Sequence, residues 1–376
     1  MSTFLRPNLE DAFWRALRSG SHLLIPGPRR IGKTTLLKQA FARPSADFFP
    51  VYVVVESVDS VDELYRKLLS ALLDQEFVGR LSRASRRFSS WVKQIRIEEI
   101  GSKVRFGASG PVDHLGEFIQ FCRGLELDGR IVLMVDELPQ AVENTLGSKS
   151  EQERREAIRM LQTLRDCRHD PSLGERIQFV FAGSIGLENV AASLGASKHI
   201  NDLMTLRIPP LTPDEGRAFL DQELPRLGLA DLPQEVREHL LGRIGWDWLI
   251  PIFIRRLAEE LPSGSSTPDA VDRAFTALLT HQNLFEHWYG RLRMTLEPRE
   301  LQLVKAVLGQ AADPRNNGIP SRALTNLAVE HGLLEHQVNL VGILKHDGYL
   351  NNQEDPARYC FNSPVIREWW WRNVAN

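Results

Sequence analysis

The sequence predicts an α/β protein in which a parallel sheet covered by helices is followed by two smaller domains. Up to about residue 210, short apolar runs rich in β-branched residues alternate with longer helical patterns, as in a sheet with helices on both faces. After Leu211 the strand signal stops and helical periodicity continues to about residue 293. The pattern changes again over the last part of the chain. We therefore expect domains over residues 1–210, 211–293 and 294–376.

Five near-continuous apolar segments are predicted to be strands buried on both faces. They are residues 22–26, 49–56, 130–137, 177–183 and 202–209. Between them, several segments carry apolar residues at three-to-four spacing and are predicted to be crossover helices. These are residues 33–42, 62–73, 115–125 and 152–168.

The second and third domains are predicted to be helical and winged-helix, respectively. Thr212, Pro213, Asp214 and Glu215 are typical of a capped helix start with proline in the first turn, and they open a helical lid. Farther on, helices are expected from about residue 300, over 320–330 and over 335–345, followed by a hairpin over 349–361. Three helices and a hairpin predict a winged helix over 294–376.

Composition excludes several classes of protein. The chain has 46 basic and 48 acidic residues, a net charge of −2, so no overall positive field attracts nucleic acid or membranes. Cys122, Cys167 and Cys360 lack metal-site or disulfide spacing. The apolar runs are too short to span a bilayer and no export signal is apparent. We expect a cytoplasmic protein without membrane contact.

Residues 27–34 fit the phosphate-loop pattern G-x-x-x-x-G-K-S/T, with a predicted strand before it and a predicted helix after it. Such a loop directs backbone N–H groups and a helix N-terminus at phosphate oxygens. Its lysine neutralises the β- and γ-phosphates, and its threonine hydroxyl binds Mg²⁺. A glycine-rich turn in an ordinary βα unit is the alternative, which the context disfavours. The predicted ATP-binding residues are Gly27, Pro28, Arg29, Arg30, Ile31, Gly32, Lys33, Thr34 and Thr35.

Two further strand ends carry residues suited to phosphate chemistry. The apolar segment 130–135 leads into Asp136 and Glu137, as a Walker B segment does. Asp136 is predicted to order Mg²⁺ together with Thr34, and Glu137 to activate water. Segment 177–183 leads into Ser184, a candidate γ-phosphate sensor. Acids and Gly-Ser turns are also common at ordinary strand ends, so both predictions depend on the upstream loop.

Arginine supplied across a subunit interface can stabilise a transferring phosphoryl group. Arg165, Arg168 and Arg176 precede the predicted sensor strand, and Arg168 is our catalytic candidate. The alternative is that basic residues at a helix C-terminus are simply solvated and favourable to the helix dipole.

The motifs together resemble archaeal-type STAND ATPases, members of the AAA-like group of P-loop ATPases with a C-terminal winged helix. The resemblance is carried by residues 27–37, 135–138 and 182–187 and extends to the order of domains. It implies a nucleotide switch. A Gly-x-Pro element of that family packs against adenine. Its partial counterpart over residues 245–251 implies a base contact at Pro251, while Arg255 and Arg256 follow on the same helix without clearly matching a lid arginine.

The remaining features leave the partner open. Residues 80–105 contain eight basic residues, with Phe88 and Trp91 among them, which suits single strands or phosphates but also a solvated helix face. The predicted recognition helix carries one lysine beside Glu335 and Asp347, which gives little driving force for binding DNA. A protein-docking or autoinhibitory winged helix is favoured. We expect the tryptophans at 369–371 to close a core.

These observations predict a protein that binds and hydrolyses ATP with Mg²⁺ and acts as a regulatory or defence switch, changing conformation or oligomeric state with its nucleotide. Its partner would be a second copy of itself or another protein that docks on the winged helix. One alternative is a DNA-associated ATPase that acts as a loader, initiator or transposition protein. Another is a nucleotide binder that never turns over.

Overall fold

The computed structural model describes residues 4, 6–27, 31–78, 113–147, 150–183, 186–209, 211–245, 251–261, 267–352 and 355–375. Apart from a few residues near the chain start and in the phosphate loop, residues up to Ile208 form one compact unit and residues from Pro209 another. The basic segment 80–105 lies outside the described residues. Within the described ranges, no helix has the length and apolar character needed to cross a membrane.

The first unit is built on a five-stranded parallel sheet, which confirms the α/β part of the predicted fold class. The strand order is β2-β3-β4-β1-β5. The central strands are apolar along most of their length because helices cover both faces of the sheet. The edge strand β5 is much shorter than the predicted segment. The strands are β1 (Leu23–Ile25), β2 (Phe48–Val54), β3 (Arg130–Asp136), β4 (Ile177–Ala182) and β5 (Met204–Thr205).

Helices connect these strands, and each of the four predicted crossover helices is present. Polar N-caps fix their starts: the Ser60 side chain accepts from the N–H of Glu63, and Ser150 and Glu153 form a capping box. The helices are α1 (Pro7–Arg18), α2 (Lys33–Ala42), α3 (Val61–Leu73), α4 (His114–Gly124), α5 (Leu138–Leu146), α6 (Glu151–His169), α7 (Pro171–Gly174) and α8 (Leu187–Ser193).

The sequence did not predict α1, which is tied to the centre of the sheet by a buried amide. The side chain of Gln178 on β4 donates to the carbonyl oxygens of Leu17 at 2.8 Å and Ser21 at 2.9 Å. Phe13 and Leu17 of α1 are fully buried. A polar residue in an apolar strand thus satisfies backbone groups at the end of a neighbouring helix.

The second unit contains helices and a small antiparallel sheet. As predicted, its first helix starts at Pro213 behind a capping box between Thr212 and Glu215. The strands β6 (Ile319–Pro320), β7 (Leu350–Asn351) and β8 (Arg358–Phe361) pair in the order β6-β8-β7. The helices are α9 (Pro213–Glu223), α10 (Gln234–Ile244), α11 (Pro251–Glu260), α12 (Pro268–Leu278), α13 (Gln282–Thr295), α14 (Pro298–Ala312), α15 (Ser321–Glu330), α16 (Gln337–His346) and α17 (Pro364–Asn373).

Aromatic rings join the last helix to the rest of this unit. The ring of Trp369 stacks on Phe285 of α13 with centroids 4.8 Å apart, and Trp370 meets Tyr349 edge-on at 5.8 Å. Trp370 is 0% exposed, whereas Trp371 is only half-buried. The prediction that these tryptophans close a core is confirmed for Trp369 and Trp370.

Replacing Trp370 by alanine is expected to destabilise the second unit by about 3–5 kcal/mol, since it removes a large buried ring and leaves a cavity. The matched control is Trp371→Ala, which we expect to cost much less. Hydrogen exchange of the α14 and β8 amides as a function of denaturant measures the difference. Equal losses in the two variants would contradict a core closed by Trp370.

Candidate nucleotide-binding site

Three separate parts of the chain meet at the carboxyl edge of the sheet. In the parallel register, Ile25 of β1 and Asp136 of β3 both lie opposite Ala182 of β4. Gly27 comes after the first of these strands and Glu137 after the second. Since the ends of parallel strands face the same side, the phosphate-loop and Walker B residues are brought to one edge, where open α/β sheets bind ligands.

Two glycines with positive φ shape the described ends of the phosphate loop. Gly27 has φ 146° and Gly32 has φ 104°, conformations that side chains other than glycine rarely adopt. Gly32 is also the N-cap of α2, so the N–H groups of the first turn, which includes Lys33, Thr34 and Thr35, lie directly after the loop. Ile31 is half-buried. The predicted ligands Pro28, Arg29 and Arg30 lie outside the described residues.

Lys33 folds back across the loop. Its side chain is largely buried, with the residue 5% exposed, and its Nζ donates to the carbonyl oxygen of Gly27 at 2.5 Å. This contact places an ammonium group directly at the mouth of the loop. A phosphate oxygen there would be a stronger acceptor for the ammonium than a neutral carbonyl.

Asp136 is the centre of the polar contacts at this edge. It is 2% exposed, and its Oδ2 accepts hydrogen bonds from Thr34 Oγ1 at 2.8 Å and from the Tyr52 hydroxyl at 2.9 Å. Its Oδ1 is buried and makes no hydrogen bond to any described residue. A buried carboxylate oxygen without a donor beside a threonine hydroxyl suits Mg²⁺, which prefers oxygen ligands and keeps several waters. Thr34 and Asp136 therefore fit the metal that the motifs predict.

Tyr52 belongs to this site and was not anticipated from the sequence. Burial, together with the charge of Asp136 and the hydrogen bond to it, raises the pKa of the Tyr52 phenol well above its ordinary value. The hydroxyl is thus a donor throughout the physiological range. Lys38 Nζ lies 5.9 Å from the centroid of the Tyr52 ring. The feature of the sequence that could have pointed to Tyr52 is its hydroxyl group, which is the only one in the otherwise apolar strand β2.

Glu137 has a strained backbone. Among the described residues it alone combines a side chain with positive φ, at 63°, a left-handed conformation that costs about 1–2 kcal/mol. Such strain is concentrated at functional sites. Gly183, which follows β4, lies close to the start of α5. A Cβ added at this glycine would be 2.4 Å from Pro139 Cδ and 3.6 Å from Glu137 Oε2. The absence of a side chain at Gly183 thus allows the two strand ends to approach. Ser184, the predicted sensor, lies outside the described residues.

Arg168 is at odds with its predicted role across a subunit interface. Its side chain is 1% exposed and forms two hydrogen bonds to the Asp202 carboxylate, at 2.7 and 2.8 Å, and one to the His199 carbonyl at 2.7 Å. Asp202 precedes β5, so the pair lies toward the amino edge of the sheet. The sequence does not distinguish a basic residue that is solvated at a helix C-terminus from one that is buried there in an ion pair. The geometry gives Arg168 a structural role.

The structure also places the other predicted arginines and Pro251. Arg165 donates to the carbonyl oxygen of Lys198 at 2.5 Å, and Arg176 directly precedes β4 at the amino edge. In the second unit, Pro251 is the first residue of α11, and its base contact stays a prediction. On the same helix, Arg255 Nη2 lies 4.0 Å from Glu223 Oε2, and Arg256 Nη1 lies 2.6 Å from Glu259 Oε2.

Comparison with known proteins agrees with this geometry. Residues 16–190 match the model of the AAA domain family. The fold is similar to that of a Walker-type ATPase of Pyrococcus abyssi, with 15% identity, coverage of 98% of this chain and 95% of that chain, and a TM-score of 0.61. A sequence comparison with curated proteins finds no match.

Two further solved structures show lower similarity to this chain. The ORC2 protein of Aeropyrum pernix has 15% identity, coverage of 98% and 91%, and a TM-score of 0.49. Cdc6p of Pyrobaculum aerophilum has 13% identity, coverage of 97% and 93%, and a TM-score of 0.43. The chain has the α/β fold of P-loop NTPases, and the match to the AAA domain family is confined to residues 16–190.

Arg168→Ala is expected to destabilise the first unit by about 3–5 kcal/mol, because the partly buried Asp202 carboxylate loses both hydrogen bonds from the guanidinium group. Arg165→Ala, which removes a more exposed bond to a backbone carbonyl, is the control and is expected to cost less. Denaturant unfolding measures both. Similar stabilities for the two variants would contradict the structural role of Arg168.

The same pair predicts a pH dependence. Burial raises the pKa of Asp202, but the hydrogen bonds and charge of Arg168 outweigh it and hold the pKa below its ordinary value. The pair's stabilisation is thus present above about pH 4, the pKa of an unfolded Asp, and is lost as the pH falls through the lower folded pKa. Unfolding measured from pH 7 to pH 3 should show a smaller acid-dependent loss in Arg168→Ala than in the wild type.

Proposed function

We propose that this protein binds ATP with Mg²⁺ at the carboxyl edge of the sheet, hydrolyses it, and uses the nucleotide state to switch conformation or assembly. The observation that supports this most directly is the hydrogen bond from Thr34 to Asp136, which joins residues 102 positions apart. It links the phosphate-loop helix to the Walker B strand through the two side chains that chemistry assigns to the metal.

Each residue of the site has a role in this proposal. Lys33 and the N–H groups of the loop and of α2 hold the phosphates. Thr34 and Asp136 hold Mg²⁺, which when bound neutralises charge on the phosphate oxygens. Glu137 orients and deprotonates the attacking water. Ser184 as sensor and Pro251 as adenine contact remain proposals from the resemblance to STAND ATPases.

We further propose a nucleotide domain over 1–210, a helical lid over 211–293 and a winged helix over 294–376. The winged helix is supported by the order of elements in the second unit. Helix α14 is followed by β6, then by α15 and α16, and finally by the antiparallel pair β7 and β8. This order of helices and strands is the observation that supports the proposed winged helix.

The surface of the proposed recognition helix favours a protein partner. Val338 near the start of α16 is 82% exposed, and Leu334 just before it and Val329 on α15 are also exposed. Apolar side chains at such positions suit protein contacts, whereas DNA binding requires lysine and arginine for phosphate contacts. A homo-oligomer or another protein docked on this face is therefore our proposal.

A DNA-associated ATPase is the second candidate function, favoured by the eight basic residues and two aromatic residues within 80–105. It differs from the switch in needing nucleic acid for its action. The two functions share the nucleotide site and are separated only by the partner.

ATP binding and hydrolysis are tested with two variants. Lys33→Ala is expected to lower ATP affinity at least tenfold, because the phosphates lose their buried cation. Glu137→Gln is expected to bind ATP normally and to release phosphate about 10²–10⁴ times more slowly, the usual contribution of a general base. Calorimetry and a phosphate-release assay measure these effects. Lys67→Ala, on α3, is the control; an equal effect there, or unchanged turnover in Glu137→Gln, would refute the proposal.

The partner is tested by DNA retention at several salt concentrations. A switch is expected to assemble with nucleotide alone and to bind duplex DNA weakly. A DNA-associated ATPase would retain duplex tightly, with an affinity that falls steeply with salt and is lost on charge reversal at Arg86, Arg87 and Lys93. The second result would replace the switch by the DNA-associated function.

A further inference from the structure

We propose that Tyr52 is a positioning residue of the magnesium site: its hydroxyl holds one oxygen of Asp136 so that the other is presented to the metal and its waters. The inference rests on the proposed function, since it concerns the same site. No motif singles out Tyr52; its place in the structure does.

The distribution of hydrogen bonds on Asp136 carries the first step. An ionised carboxylate has about four acceptor positions on its two oxygens. Two donors from the described chain, Thr34 Oγ1 and the Tyr52 hydroxyl, bind Oδ2, at 2.8 and 2.9 Å, while Oδ1 is buried without a hydrogen bond to any described residue. A buried acceptor without a donor is unfavourable. Binding of a metal ion or of its waters at Oδ1 would remove this cost.

The second step is that Tyr52 restrains the rotation of this carboxylate. With Thr34 as its sole donor, the group could turn about its Cβ–Cγ bond and offer either oxygen to the threonine. Tyr52 reaches it from a different strand, and β2 pairs with β3 so that Val54 lies opposite Asp136. Two donors fixed on separate elements define which oxygen faces each of them. The threonine oxygen retains lone pairs for the metal while its proton is donated to Asp136.

The third step concerns the contacts of Tyr52 that do not involve its hydroxyl. Tyr52 lies in the pleated backbone of β2, and Lys38 Nζ lies 5.9 Å from its ring centroid. Lys38 is one helical turn beyond Thr34 on α2. Tyr52 thus connects α2, β2 and β3 at the site. Phenylalanine would keep the ring and these contacts, so a Tyr52→Phe change isolates the hydroxyl.

The test measures binding rather than turnover. ATP affinity is determined by calorimetry for Tyr52→Phe and the wild type, first with a chelator and then at increasing Mg²⁺. We expect metal-free affinity to agree within about twofold and the Mg²⁺ concentration at half-saturation to rise about tenfold or more, since tenfold is the lower end of the range for a hydrogen bond to a charged group. The control Tyr65→Phe removes another hydroxyl of the same unit, 3.7 Å from Cys167 Sγ, and should leave the Mg²⁺ dependence unchanged.

Each contrary result has a distinct meaning. If Tyr52→Phe has the wild-type Mg²⁺ dependence, or binds Mg²⁺ more tightly, the positioning role is overturned; tighter binding would mean that Tyr52 competes with the metal. Failure of the wild type to bind ATP at all would instead overturn the proposed function, and this inference with it.

A second measurement covers a Tyr52→Phe variant that folds poorly. In the wild type with labelled tyrosine, the hydroxyl proton of Tyr52 is followed by NMR on addition of Mg²⁺ and a non-hydrolysable ATP analogue. Its hydrogen-bonded signal should persist, because Tyr52 and the metal bind different oxygens of Asp136. Loss of the signal on metal binding would overturn the proposal.

Discussion

The parallel register of β1, β4 and β3 is the constraint on which the site depends. In this register, β1 and β3 end at the same level, opposite Ala182 of β4. The start of α2 therefore lies next to the end of β3. The 2.8 Å bond between Thr34 and Asp136 is a direct consequence. A shift by one residue in β3 would turn the Asp136 side chain to the opposite face of the sheet. Burial of the apolar strands on both faces therefore fixes the chemistry at their ends.

A second constraint is the close approach of the loops after β3 and β4. Glu137 adopts a left-handed backbone and α5 begins immediately after it, which turns the chain sharply away from the sheet edge. Gly183 leaves room for Pro139 at this turn. The strain at Glu137 is held by the packed core below it, where β3, β4 and α5 bury most of their apolar side chains. Stability of the core thus supports an unfavourable conformation at a residue that we assign to catalysis.

The sequence was sufficient for the strands of the sheet and for assigning Thr34 and Asp136 to one site, because both arise from local patterns. Apolar strands buried on two faces have a composition that few other structures share, and the phosphate-loop and Walker B patterns tie particular polar residues to the ends of two of them. Tyr52 could not be predicted in the same way, since an aromatic residue in a strand is usually there to pack. The buried ion pair of Arg168 could not be predicted for a related reason: its partner Asp202 is far along the chain, and ion pairs between distant residues leave no periodic signal. Helix α1 was missed because its anchor, Gln178, is a tertiary contact.

The polar groups of the site are held in an arrangement that a ligand improves. The ammonium of Lys33 donates to a neutral carbonyl, and the carboxylate of Asp136 has two neutral hydroxyl donors and one buried oxygen without a donor among the described residues. An anionic phosphate at Lys33 and a cation at Asp136 would add charge-assisted interactions, which are stronger than those with neutral groups. A ligand that binds only the folded site stabilises it in proportion to the logarithm of its concentration. A bound nucleotide and metal would therefore stabilise the contacts among α2, β2 and β3 that form the site.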